Sequence, residues 1–251
     1  MSRPLAVVIG MGPGLGRALV RSFAQDGFAV AFTGRRAKAM AEAEAELRAE
    51  GLEVAGFAAD AGVPEQMDRA HDDIRARYGA AEVLVYNAAI IEPARFVTPS
   101  GLSEAAYDGA AGWQALGAPA SPDYVLSAFR TNVLGAHHAA QSLAPEMIAR
   151  GRGTILLTGG VLAFGPWIEW GVTSMGKAAL RSLGHSLHKE LLPHGVHVST
   201  IAIHGTMRPN SPYAHETVAA AYLARHRAPR AEWTPDYHFK AEAGDGADPD
   251  A

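Results

Sequence analysis

An apolar run over residues 5–10 breaks into Gly10-Met11-Gly12-Pro13-Gly14-Leu15-Gly16, and apolar residues at helical spacing (Leu15, Leu19, Val20, Phe23) follow at once. A buried strand, a glycine-rich turn and a helix in that order leave few folds open. Glycine allows positive φ and lets the backbone come close to a bulky anion. The helix that starts there offers unpaired N–H groups and the positive end of its dipole. The turn is therefore read as a cradle for the diphosphate of a dinucleotide, with Gly10, Gly14, Leu15 and Gly16 facing it. The alternative is a tight strand–helix turn without a ligand.

The alternation continues beyond the turn. Strands are predicted over residues 28–33, 54–58 and 82–87, and helices over 37–50 and 64–78. Strands alternating with helices define an α/β class: a Rossmann-type, doubly wound, mostly parallel sheet with helices on both faces. Residues 92–122 interrupt this pattern with Pro93, Pro99, Gly101, Gly109, Gly112, Gly117, Pro119 and Pro122. A long excursion is expected there, with a short helix near 102–107. Helices are then predicted over 124–149, 173–192 and 218–225, and strands over 154–158, 196–203 and 236–239. Residues 1–240 are read as one domain and the acidic residues 241–251 as a disordered tail.

Composition narrows the function classes. With 22 Lys+Arg against 26 Asp+Glu the net charge is −4, which argues against nucleic acid as the main partner. The chain has no cysteine, so disulfides, thiol catalysis and Cys-ligated zinc are excluded. No histidine cluster reads as a metal site. No apolar run approaches the roughly 20 residues that cross a bilayer. No signal peptide is recognised, so a cytoplasmic location without membrane contact is the expectation.

The second strand ends Phe32-Thr33-Gly34-Arg35-Arg36. An NAD site places a carboxylate here for the ribose hydroxyls. Two arginines suit a 2′-phosphate instead, so NADP(H) is favoured over NAD(H), with Arg35 and Arg36 as its ligands.

These residues together resemble the short-chain dehydrogenase/reductase (SDR) family, and the likeness runs along nearly the whole chain. Gly10, Gly14 and Gly16 fall on the family's Gly-xxx-Gly-x-Gly turn. Asp60 matches its adenine-contacting acid. Asn87-Ala88-Ala89 resembles its Asn-Asn-Ala-Gly segment, with Tyr86 and Ala89 as departures. Asn132 and Lys177 match the asparagine and lysine of its catalytic tetrad, and the resemblance also gives Lys177 a role on the nicotinamide ribose. The family's tyrosine, four residues before the lysine, is replaced by Thr173, and its serine by Gly160. No tyrosine occurs between Tyr124 and Tyr213 and no serine between Ser142 and Ser174, so no shift of alignment restores either.

In the family the tyrosine moves the proton that accompanies hydride transfer. A phenol titrates near pKa ~10 and needs only a modest shift to work near neutrality. The hydroxyl of Thr173 is too weak an acid and too short, and Gly160 removes the hydroxyl that polarises a carbonyl. His204 follows a strand at the ligand-binding end of the sheet and has the right pKa range for a substitute acid. A histidine packed beneath the loop is the other reading. Glu169 is read as a solvated loop carboxylate, or as an acid if burial raises its pKa. Phe164, Pro166, Trp167, Ile168 and Trp170 either wall a pocket for a flat substrate or pack against the excursion or a second subunit.

The leading reading is an NADP(H)-dependent oxidoreductase with a non-standard proton path, acting on a small carbonyl, imine or enone. A non-redox enzyme on the same scaffold and an inactive NADP(H)-binding sensor are the alternatives. The resemblance implies a homodimer or homotetramer joined through the lysine-bearing helix. Ala178, Ala179, Leu180, Leu183, Leu187 and Leu191 offer an apolar face for that contact, unless they pack on the sheet.

Overall fold

A computed structural model of the chain describes residues 3–102 and 117–241. Its elements in order are β1 (Leu5–Ile9), α1 (Leu15–Gln25), β2 (Ala29–Gly34), α2 (Ala37–Ala49), β3 (Val54–Ala58), α3 (Pro64–Tyr78) and β4 (Ala81–Tyr86). After the excursion come α4 (Pro122–Phe129), α5 (Gly135–Arg150), β5 (Gly153–Thr158), α6 (Gly171–Leu191), β6 (Val196–Ile203), α7 (His215–Arg227) and β7 (Asp236–Phe239). The seven strands form one sheet in the order β3-β2-β1-β4-β5-β6-β7, and every pairing is parallel. The order reverses between β1 and β4, which opens the ligand crevice at their carboxyl ends.

Alternation along the strands divides the core. Ala6 and Val8 of β1 pack with Leu19, Phe23, Leu47 and Tyr222 beneath α1, α2 and α7. Leu5, Val7 and Ile9 pack with Met67, Ile74, Leu143 and Leu180 beneath α3, α5 and α6. Adjacent residues of one strand thus serve opposite faces. Leu180 and Leu191 are core residues, and Leu183 and Leu187 pack against the same cluster. The sheet therefore takes the four leucines, and the outward surface of α6 runs from Met175, Ala178 and Ser182 to Ser186, Lys189 and Glu190.

The single helix expected over 124–149 is instead three segments. A π-turn over Arg130–Leu134 separates α4 from α5. The side chain of Asn132 leaves the helix to pair with the backbone of Ile90. The Tyr86 hydroxyl donates to the carbonyl of Thr131 inside the widened turn. Both partners are distant in sequence, so local propensity cannot report the break. Helix α7 begins three residues earlier than expected, at His215. The helix expected near 102–107 and the expected tail lie outside the described residues, apart from Leu102 and Ala241. Among the described residues no helix is long and apolar enough to cross a membrane.

Two buried histidines make the fold sensitive to acid. His71 bonds Ser142 Oγ at 2.9 Å across α3 and α5, and burial pulls its pKa down to about 4. His197 lies flat on Trp233, with ring centroids 4.8 Å apart, and burial pulls its pKa down to about 3. Both are neutral in the fold and titrate at 6.5 when released. Their contribution is full above pH 6.5 and is lost as pH falls from there toward the folded values. Each costs about 2 kcal/mol at pH 5 by linkage. The melting temperature is expected to drop by on the order of 10 °C between pH 7 and pH 5. His197→Phe, which keeps the stack and removes the titration, is expected to cancel roughly half of that drop. Thermal scans at both pH values check this.

Candidate active site

The glycine turn is tight for reasons visible at each position. Gly10 has φ +95°, and a Cβ there would lie 2.3 Å from the amide nitrogen of Ala88. A Cβ on Gly16 would lie 2.6 Å from the carbonyl oxygen of Gly10. Gly10 N and Met11 N both donate to Thr33 O, which ties the turn to β2. No side chain caps α1, and no acidic residue occupies its first turn. Its N-terminal amides are therefore left without side-chain partners, the condition in which a helix end can receive an anion.

The predicted cofactor residues Arg35, Arg36, Asp60 and Asn87 lie just past the carboxyl ends of β2, β3 and β4. Arg35 and Arg36 stand exposed just after β2, and neither has an ion-pair partner among the described residues. Asp60 follows β3, and its Oδ1 accepts from Gly62 N at 2.8 Å, which fixes the turn into α3. Asn87 ends β4, and its Nδ2 donates to Gly10 O at 2.9 Å. The uncapped helix end, the close-packed glycines and the free guanidiniums fit a dinucleotide phosphate. No group of three acidic or histidine side chains among the described residues is placed to hold a metal ion.

Lys177 lies on the buried face of α6, and its Nζ donates to Thr158 O at 2.6 Å. Burial pulls its pKa down to about 8. Asn132 is buried beside it: a Cβ on Gly176, the residue before Lys177, would come 3.2 Å from Asn132 Nδ2. The amide of Asn132 is clamped from both sides, with Ile90 N donating to Oδ1 at 2.7 Å and Nδ2 donating to Ile90 O at 3.0 Å. Thr173 sits buried one turn ahead of Lys177. Gly160 is extended backbone, and a Cβ there would meet nothing within 4 Å. The space of the missing serine is open.

The other two candidate acids each have close partners of their own. His204 Nε2 is 2.7 Å from His238 Nδ1 of β7. Phe164 packs over this histidine pair, and Arg181 stacks on the Phe164 ring at 4.5 Å. Burial and the neighbouring His238 and Lys240 lower the pKa of His204. Glu169 is not a solvated loop carboxylate. It is 6% exposed and pairs with Arg95. It also accepts from Ser100 Oγ at 2.7 Å and from Gly101 N at 3.1 Å. Arg95 first, then Ser100 and Gly101, hold its pKa below the usual carboxylate range, so burial has not made it an acid. Its backbone carbonyl receives Ala94 N at 2.7 Å, and Ala94 pairs with Trp170 as a short parallel bridge. Glu169 thus latches the start of the excursion to the loop before α6. Trp167 and Ile168 stand exposed at 62% and 65%, while Trp170 is buried.

Three residues take positioning roles that the sequence did not give them. Tyr222 of α7 donates to Thr158 Oγ1 at 2.9 Å, and Thr158 Oγ1 donates to Asn87 Oδ1 at 3.0 Å. With the bond from Asn87 to Gly10 this makes one run from α7 to the glycine turn. Tyr86 is the third, through its bond to the π-turn that carries Asn132. Gly135 is required by the same packing, because a Cβ there would lie 2.2 Å from the Tyr86 hydroxyl. The departure of Tyr86 from the family's asparagine was the available signal.

Comparison with known proteins agrees with this geometry. The sequence profile of the short chain dehydrogenase family matches residues 4–216, and the chain belongs to that family. It is 27% identical over 202 residues to dehydrogenase/reductase SDR family member 4 of Oryctolagus cuniculus, covering 80% of this chain and 70% of that protein. The human protein of the same name is also 27% identical, with 66% of its length covered, so the match spans about two thirds of these relatives. Among solved structures, L-sorbose reductase from Gluconobacter frateurii, complexed with NADPH and L-sorbose, superposes with a TM-score of 0.78 at 21% identity, over 96% of both chains. A metagenomic short-chain oxidoreductase in complex with NADP gives 0.77 at 23% identity, over 95% of this chain and 97% of that one. At these identities the likeness is one of fold.

Thr158 is the junction of the site. Thr158→Val leaves the Tyr222 hydroxyl and Asn87 Oδ1 without their partner, at about 1–3 kcal/mol for each buried group. The melting temperature is expected to fall by roughly 5–10 °C. Thr158→Ser keeps both bonds and is expected to stay within about 2 °C of the wild type. Because Lys177 binds the backbone carbonyl, neither change removes its contact.

Proposed function

We propose that this chain is an NADP(H)-dependent reductase of a small, flat or conjugated carbonyl, imine or enone, whose substrate takes little acid help from the enzyme. One juxtaposition carries the reading. Lys177 and the glycine turn are joined through Thr158 and Asn87, with Asn132 packed beside Gly176 and clamped on Ile90, while Gly160 and Thr173 stand where the family's proton-handling side chains belong. Binding groups are kept, and the acid is gone.

The turn 10–16 and the amide of Leu15 would hold the diphosphate, Arg35 and Arg36 the 2′-phosphate, Asp60 the adenine and Lys177 the nicotinamide ribose. The bound nicotinamide supplies or accepts a hydride. The chain's own residues orient and enclose. The amide clamp on Ile90 fixes Asn132, and the Thr158 carbonyl fixes the Lys177 ammonium in a dry environment. An iminium ion already carries the charge that an acid would provide, and an enone takes hydride before it needs a proton. The exposed Trp167 and Ile168, in the loop before α6, offer apolar surface for a substrate. A second copy of the chain would dock on the outward surface of α6, through Met175 and Ala178. The NADP-bound and NADPH-bound relatives of the same fold support the choice of cofactor.

Binding and turnover test this directly. NADPH is expected to bind at least tenfold more tightly than NADH, and Arg35→Ala is expected to erase most of that ratio, the worth of a charge-assisted phosphate contact. A panel of carbonyls, imines and enones is expected to contain a compound that oxidises NADPH. Binding with no turnover across the panel would replace this reading with that of an NADP(H)-binding protein.

The empty space at Gly160 provides a second test. Gly160→Ser is expected to fold with an unchanged melting temperature, because nothing lies within 4 Å of the new Cβ. The added hydroxyl is expected to raise kcat on simple carbonyls by roughly tenfold and to leave iminium substrates unchanged, since only the former develop an oxyanion.

A further inference from the structure

Residues 204–214 connect β6 to α7, and α7 opens with a histidine at the glycine turn. A Cβ on Gly14 would lie 2.8 Å from His215 Nε2, 3.2 Å from Cε1 and 3.3 Å from Cδ2. The space that the second glycine leaves beside the turn is therefore filled by an imidazole, and the nearest atom is a ring nitrogen. In a dinucleotide turn that glycine lets the backbone approach the diphosphate. His215 as a residue is half-buried.

The packing of α7 explains why the ring arrives there. Helices α1 and α7 lie side by side on one face of the sheet, with Leu15, Leu19 and Phe23 against Val218, Ala219 and Tyr222. Gly14 meets His215 at one end, and Phe23 meets His226, with ring centroids 6.2 Å apart, toward the other. Arg227 pairs with Asp26 just beyond. The two helices therefore run parallel with their N-termini together. No side chain caps either N-terminus. The acid in the first turn of α7, Glu216, acts on Arg21 of α1. His215 has no ion-pair partner among the described residues.

We propose that His215 is a direct ligand of the cofactor's diphosphate, a side-chain donor that α7 delivers to the turn opened by α1. This rests on the dinucleotide-binding reading above. Its ring N–H adds a hydrogen bond to the backbone donors of α1, and a protonated ring adds charge to it. Gly14 then has two reasons to be glycine: it clears the path of the anion and makes room for the ligand's second holder.

Three probes separate this role from simple packing. NADPH and ADP-ribose contain the diphosphate, whereas adenosine 2′-monophosphate contains the adenine and the 2′-phosphate without it. His215→Ala is expected to weaken NADPH and ADP-ribose about tenfold each, the worth of one hydrogen bond to a charged group. It is expected to leave adenosine 2′-monophosphate within about twofold. His215→Gln, which retains a donor, is expected to recover part of the loss. Equal weakening of all three ligands would mean that His215 only supports the turn, and that overturns the assignment. So does wild-type affinity for NADPH in His215→Ala. Failure of the wild type to bind any dinucleotide overturns the cofactor reading itself, and this assignment with it.

Discussion

Between the carboxyl ends of β1, β4 and β5 runs a single series of hydrogen bonds: Tyr222 to Thr158, Thr158 to Asn87, and Asn87 to the carbonyl of Gly10. At the same place the backbone of Ala88 presses so closely on Gly10 that no side chain fits between them. These contacts hold the switch point of the sheet at one width. The glycine turn, the Lys177 ammonium on the Thr158 carbonyl and the helix end of α1 all take their positions from it. Tyr222 and Thr158 are buried, so each hydroxyl must be matched, and satisfying them together makes the geometry specific.

The departures from the family pattern are built in rather than tolerated. Tyr86 replaces an asparagine, and its hydroxyl satisfies the Thr131 carbonyl in a widened helical turn. That turn lets Asn132 reach Ile90, so a substitution in one strand supports a side chain in a distant helix. Glu169 does similar work at the mouth of the site. Held by Arg95, Ser100 and Gly101, it is a structural anion that anchors the excursion. In the proposed reaction these residues position the reactants, and the substrate brings its own electrophilicity.

The fold was legible because its signals are local. Strand and helix periods differ, and glycines mark the turn where φ is positive or backbones nearly touch. Most predicted boundaries lie within two or three residues of the observed ones. The cofactor candidates could be placed for the same reason, since Gly10, Arg35 and Asp60 each come within two residues of a strand end and Gly14 and Gly16 open the next helix. The π-turn was not. Arg130–Leu134 has an ordinary helical composition, and its causes, Tyr86 and Ile90, lie 45 and 42 residues from their partners.

The sequence by itself determined the α/β alternation, the glycine turn between β1 and α1, the arginines after β2, and the presence of Gly160 and Thr173 in place of a serine and a tyrosine in the pattern that the chain resembles. These depend on residue type and spacing along the chain. Only the tertiary structure decided that Glu169 is a buried ion-pair partner, that His204 turns toward His238, and that His215 meets Gly14. In each case the deciding partner is remote along the chain. A side chain's charge state and role are set by what surrounds it in space, and spacing along a sequence does not carry that information.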